Sequence, residues 1–278
     1  MLSILLILLI FSQVIIMTER SLWVAKTGLD AQQTRMAVIS NNLANVNTIG
    51  FKKDRAMFDD LMYQNIRQVG GDTTQNIQAP TGTQLGTGVK TVSTEKVHTQ
   101  GNVQQTDNAL DVAINGRGFL PILMPNGETN YTRDGSLKLD STGQLVTSGG
   151  LTLNPAITVP ADAMSVTIGT DGTVSALLPG TTAPSNLGQI QLANFINPTG
   201  LQAVGDNLYR ESAASGAPIL GTPGQGEYGT LNQGSLETSN VNVVEELVNM
   251  IEAQRAYEMN SKAISTADQM LSFVTQQL

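Results

Sequence analysis

One histidine, two neighbouring aspartates, a spaced-glycine turn and an acidic loop are the features of this chain whose residue types and spacing could do chemistry. His98 is the single histidine. General-base work needs a Ser or Cys partner recognisable by motif, and none accompanies it, so it reads as a structural hydrogen-bonding residue. Asp107 and Asp111 could pair as acid and base, but such pairs need an apolar, aromatic setting that drives their pKa values apart. Their neighbours supply no such setting, and the two read as turn and surface acids. Gly116-Arg117-Gly118 lacks the third glycine and following helix of a dinucleotide turn, and reads as a tight β turn. Asp134 to Leu145 carries acids at intervals, yet Lys138 stands in the ligand range and no Glu closes a calcium loop. The chain has no cysteine, which excludes disulfide scaffolds, zinc fingers, iron–sulfur sites and a Cys nucleophile. The expectation is a protein that is not an enzyme and takes no metal or cofactor.

Composition narrows the classes further. Of 278 residues, 40% are hydrophobic, 14% charged and 4% aromatic. That is enough apolar content to fold one or two domains. The formal net charge of -8 has the wrong sign for gripping nucleic-acid phosphates, so no nucleic acid is expected as a partner. Gly, Thr, Asn, Gln and Ser fill positions where charges usually sit, as in extracytoplasmic structural proteins. Residues 1–17 form an uncharged apolar leader, MLSILLILLIFSQVIIM. It is shorter than the roughly 20 residues that span a bilayer, and it lacks a basic start and a small-x-small cleavage site. The expectation is that translation starts at Met17 and the leader is absent from the mature protein.

Gly and Pro draw the domain map. All ten prolines lie between Pro80 and Pro223, and 25 of the 27 glycines lie between Gly70 and Gly234. Because a Gly costs about 1 kcal/mol and a Pro about 3 inside a helix, both ends can be helical and the middle mostly cannot. At the N-terminal end Leu22, Leu29, Met36 and Leu43 recur every seven residues, with Ala25, Gln32, Ile39 and Val46 offset by three. At the C-terminal end Val243, Met250, Tyr257, Ile264, Leu271 and Leu278 keep the same spacing. Leu247 lies between the first two, and Ala267 and Val274 widen the stripe. These are narrow coiled-coil-like seams, and no third helix of comparable length is available to close a bundle around them. Asn242 is a candidate cap, with Glu245 and Glu246 at the positive end of the helix dipole. Residues 236–278 carry six acids against two bases, and residues 18–67 carry seven bases against five acids. That complementarity favours pairing the termini, at no more than about 1 kcal/mol per exposed pair.

Between the ends, Asp111 to Ile114, Tyr131 to Thr132, Leu137 to Leu139 and Gln189 to Leu192 read as short strands. Asn126-Gly127, Asp134-Gly135 and Asp171-Gly172 read as hairpin turns. The expected fold class is α+β: long N- and C-terminal helices paired as a coiled-coil-like layer, with an inserted antiparallel all-β domain. Its segments are the leader 1–17, a helical assembly segment 18–50, an extended connector 51–84, a β domain 85–235 and a second helical assembly segment 236–278. The assembly interface is expected at Leu22, Leu29, Met36, Ile39, Leu43, Val46, Val243, Leu247, Met250, Tyr257, Ile264 and Leu271.

Three stretches carry a family resemblance. Ser21 to Lys52, SLWVAKTGLDAQQTRMAVISNNLANVNTIGFK, resembles the N-terminal signature of bacterial flagellar rod and hook axial proteins. Thr238 to Leu271, TSNVNVVEELVNMIEAQRAYEMNSKAISTADQML, resembles their C-terminal signature, and Asp111 to Phe119, DVAINGRGF, the start of their β domain. TRDG, from Thr132 to Gly135, and NLYRES, from Asn207 to Ser212, extend the similarity over nearly everything after Met17. The connector MYQNIRQVGGDTTQNIQAP resembles a segment that sets one rod member apart from the hook protein. Two departures are the leader, which has no family counterpart, and Leu120-Pro121, where the family tends to place a second aromatic.

The resemblance implies export by the flagellar type III apparatus and incorporation into a rod that crosses the periplasm. It also implies contacts with copies of itself in a helical homopolymer, proximal rod proteins, the hook protein, periplasmic and outer-membrane ring proteins and the export apparatus. A chain without Cys cannot cross-link on entering an oxidising compartment. A second reading, a secreted β module that binds peptidoglycan or another glycan on a helical stalk, needs an exposed aromatic platform. The only Trp, Trp23, lies instead in the helical end.

Overall fold

A computed structural model describes the backbone of residues 2–67, 72–74, 77–78, 81–181 and 183–276, and the side chains of residues 19–67, 81–181, 183–273 and 276. The side chains of the expected leader, much of the connector, and Val274 and Leu278 of the seam lie outside the described residues. The chain is α+β, with a long helix at each end and a mainly antiparallel β region between them. Helix α1 runs Leu2–Ala44 and helix α2 runs Val243–Gln276. The C-terminal boundary follows from the sequence: no Gly or Pro interrupts Ser235 onward, and Glu245 and Glu246 occupy the first turn of α2, where the dipole favours them.

The chain divides into two compact units. The first joins Met1–Asn41, Asp54–Glu95 and Val244–Leu278. Within it, strand Asp54–Asp60 pairs with Val89–Lys96, and Gln64–Arg67 runs antiparallel to Thr83–Leu85. The second joins Asn42–Lys53 and Lys96–Val243. Its largest sheet has seven strands in the order Leu137–Leu139, Leu145–Thr147, Thr152–Leu153, Leu120–Leu123, Thr129–Thr132, Leu208–Arg210, Gln202–Gly205. A three-stranded sheet (Ser165–Ile168, Thr173–Leu177, Ser185–Gln189) and two-stranded ribbons surround the same core. Leu120, Ile122, Leu145, Val174 and Leu192 are among its fully buried members. Phe119, Tyr131, Phe195 and Tyr209 form a second, aromatic cluster with edge-to-face contacts.

Two of the three Gly dipeptides close hairpins as expected. Gly127, at φ +83, joins Leu120–Leu123 to Thr129–Thr132, and Gly172, at φ +81, joins Ser165–Ile168 to Thr173–Leu177. Asp134-Gly135 does not. The strands on either side of it pair with other partners, and a Cβ on Gly135 would meet the Val112 carbonyl oxygen at 1.7 Å. Glycine is required there by close backbone approach, with Val112 N–H donating to the Gly135 carbonyl at 3.0 Å. Gly116-Arg117-Gly118 likewise joins strands that do not pair with each other: Val112–Asn115 pairs with Thr230–Gln233, and Leu120–Leu123 with Thr129–Thr132. Its two glycines present their carbonyls to one buried side chain.

Candidate assembly site

Terminal helices with seven-residue seams leave much of their apolar surface without a core of their own. Ile39 is buried on α1, where Leu22, Leu29, Met36 and Leu43 are half-buried; Val46, also half-buried, lies in the turn after the helix ends at Ala44. On α2 Met250, Ile264 and Leu271 are half-buried, while Val243, Leu247 and Tyr257 are exposed. Among the described residues α2 buries Glu246, Ala253 and Ala267, seven or fourteen apart. They are too small or too polar to stand out as a hydrophobic stripe, so periodicity passes over them. Larger apolar side chains of α2 face outward, among them Val244, Val248, Ile251, Met259 (72% exposed) and Phe273. The two helices touch through residues outside the expected seam. Arg35 donates to Asn249 Oδ1 at 3.5 Å and lies 3.8 Å from Glu252 Oε2, and Gly28 packs against Asn260. Since Gly28 meets Asn260 and Arg35 meets Asn249, the helices run antiparallel. Trp23, Val24, Leu85, Val89 and Ala263 are among the residues lining a mostly apolar cavity of about 1160 Å³ in the same unit.

In the second unit, charge is buried where the sequence showed only isolated ions. Glu237, 1% exposed, ends strand Ser235–Glu237 just ahead of α2. Its Oε1 accepts from Lys52 Nζ at 2.5 Å and from Gly101 N–H at 2.8 Å, and its Oε2 accepts from Arg133 Nε at 2.7 Å. Lys52 Nζ also donates to the Thr99 carbonyl at 2.7 Å. Arg133 Nη1 donates to the Gly118 carbonyl, and Nη2 to the Gly116 carbonyl at 2.5 Å. Burial pushes the Glu237 carboxyl up, but Arg133, Lys52 and the Gly101 amide outweigh it and hold the carboxyl below its ordinary value. Burial lowers Lys52 by more than its partner raises it. Backbone bonds reinforce the cluster: Gly50 N–H donates to the Glu237 carbonyl at 2.7 Å, and Asn240 Oδ1 accepts from Lys53 N–H at 2.8 Å.

Three family profiles match this chain. "Flagella basal body rod protein" matches residues 22–52, "Flagellar hook protein FlgE/F/G D1 domain" residues 113–176, and "Flagellar basal body rod FlgEFG protein C-terminal" residues 232–277. A flagellar basal-body rod protein FlgG from Buchnera aphidicola subsp. Acyrthosiphon pisum is 56% identical over 256 residues, covering 92% of this chain and 98% of that protein. The FlgG protein of Caulobacter vibrioides is 50% identical over 259 residues, covering 92% and 98%, and that of Bacillus subtilis 42% identical over 258, covering 91% and 96%. The chain belongs to the FlgG family of flagellar basal-body rod proteins. Each member of the buried ion cluster comes from a different matched segment: Lys52 from the first, Arg133 from the second and Glu237 from the third. The cluster joins the three signatures of the FlgG family in one place. It is structural, as the family is, and no part of it is an enzyme active site.

His98 lies against this cluster. Its ring makes edge-to-face contacts with Phe119 and Tyr209, and donates to the Pro198 carbonyl, while Nδ1 is buried with no hydrogen-bond partner among the described residues. Burial first, then the charges of Lys52, Lys96 and Arg133, lower its pKa to about 4. The unfolded chain, with His near 6.5, therefore binds a proton across that window that the folded chain refuses. The resulting stability is complete above about pH 6.5 and is lost as pH falls toward 4. Denaturant midpoints should drop between about pH 7 and pH 5, and drop less in His98→Gln; parallel profiles would assign the slope to other groups. Glu237→Ala leaves two cations buried without their carboxylate and should cost about 3–5 kcal/mol in denaturant unfolding. A loss below about 1 kcal/mol would mean water replaces the carboxylate.

Proposed function

We propose that this chain is the structural subunit of the distal flagellar rod, whose copies add by a repeated screw operation into a stiff tube that carries torque through the periplasm to the hook. A screw operation joins two different surfaces of the same chain, so the contact does not close and a filament results. The observation that carries this reading is the outward apolar face of α2, presented by a member of a rod-protein family. Burying one Leu or Met contributes about 1.5–3 kcal/mol. Several such residues against multiple neighbours outweigh the roughly 4–15 kcal/mol cost of association. Torque is then carried by packed side chains.

The paired helices form a coiled-coil-like layer built on Leu22, Leu29, Met36, Ile39, Leu43, Val46, Val243, Leu247, Met250, Tyr257, Ile264 and Leu271. The antiparallel contacts of Gly28 and Arg35 with α2 support the pairing, and the half-exposed seam supports completion by neighbours. The chain is exported through the flagellar type III apparatus. It adjoins proximal rod proteins on one side and the hook protein on the other, within the periplasmic and outer-membrane rings. Residues 62–84 brace adjacent copies and keep the tube straight.

Replacing Leu247 or Ile264 with Asp should abolish polymer formation, seen by electron microscopy at rising concentration, while the near-ultraviolet signal of the β domain persists. Normal polymers from both variants would refute the seam. Deleting residues 62–84 should give tubes with a shorter persistence length; unchanged stiffness would remove the bracing role.

A further inference from the structure

The buried ion cluster borders a second cavity, of about 250 Å³, lined by Lys52, Arg117 and Arg133 with His98, Asn194 and Ile196. Its charge is unbalanced. Three cations line it, and the buried carboxylate of Glu237 is taken up by two of them, Lys52 and Arg133. Arg117 is exposed, and Nδ1 of His98 is a buried acceptor with no donor among the described residues. Ile196, which lines the cavity, is 83% exposed, and beyond it Ile219, opposite Asn194 across the ladder of strands Leu192–Asn194 and Ile219–Gly221, is half-exposed. A cationic cavity flanked by an exposed apolar side chain has the anatomy of a protein-docking anchor. An exposed Ile has no use for a free ion.

The same chain carries the complementary shape. Strand Asp54–Asp60 ends in two exposed acids, Asp59 and Asp60, followed by Met62, 87% exposed, and Tyr63, also exposed. This end has carboxylates for Arg117, apolar side chains to set against Ile196, and a Tyr63 hydroxyl able to donate to His98. We infer that the Arg117 cavity is a socket that receives the Asp59–Tyr63 end of a second copy of this chain. This rests on the subunit reading above and adds to it a specific polar contact between neighbours.

Close charge pairs across interfaces couple strongly enough that reversing one member weakens association tenfold or more. The test is sedimentation velocity of the full chain over a concentration series. Arg117→Glu alone, and Asp59→Arg with Asp60→Arg, should each raise the concentration needed for association by about tenfold or more. All three substitutions in one chain should restore association to within about threefold of the natural protein. Far-ultraviolet circular dichroism checks that these exposed substitutions leave the fold intact. Association that is unchanged in Arg117→Glu, or not restored by the combined swap, overturns the socket. Inorganic phosphate that protects the cavity while leaving Arg117→Glu association at the natural level also overturns it, making the occupant a free anion. A natural chain that stays monomeric at every concentration instead refutes the subunit reading itself.

Discussion

A single carboxylate, that of Glu237, is the point on which the second unit depends. It sits almost wholly out of water with Lys52 and Arg133. Taking three charges out of solvent is costly, and their attraction offsets that cost only when every donor and lone pair is used. Here the carboxylate accepts from two side chains and a backbone amide, and the spare donors of its partners reach the carbonyls of Thr99, Gly116 and Gly118. These contacts tie two loops, one holding Thr99 and Gly101 and one holding Gly116 and Gly118, to the same carboxylate and its partners. Cavity-free apolar packing would be at least as stable, but it would not require these three chain segments to meet in one register.

Lys52 lies eight residues beyond the end of α1, and Glu237 six residues before the start of α2. The cluster therefore anchors the chain just after it leaves one terminal helix and just before it enters the other. Asn240 adds to this, accepting from Lys53 N–H and donating to the carbonyls of Val97 and Thr99. Bonds of this kind are directional where burial is not, so they set where strands end and helices begin.

The helices themselves show the opposite economy. Inside one chain, α2 buries Ala253, Ala267 and Glu246 and turns Met259, Val248 and Ile251 outward. An exposed helix face of this kind is a recognised mark of an interaction surface. Segments that bury little apolar area within their own chain gain most of their order from neighbours, which suits a rod-protein subunit.

The helical ends, the β middle and the family were legible in the chain alone, because Gly and Pro act locally and seven-residue spacing is a local pattern. So were the hairpins at Asn126-Gly127 and Asp171-Gly172, since the twist of a two-residue loop selects Gly directly. Asp134-Gly135 has the same letters for another reason, the approach of Val112, which no window of neighbours contains. The inner line of α2 was hidden because alanine and a buried glutamate do not register as hydrophobic. Lys52, Arg133 and Glu237 looked like unrelated surface ions: they are separated by 81 and 104 positions in the chain, and only folding brings them within hydrogen-bond reach. Sequence fixes what is decided by neighbours along the backbone; pairing of distant charges is decided by the path of the whole chain, because Coulomb attraction and desolvation depend on distance in space.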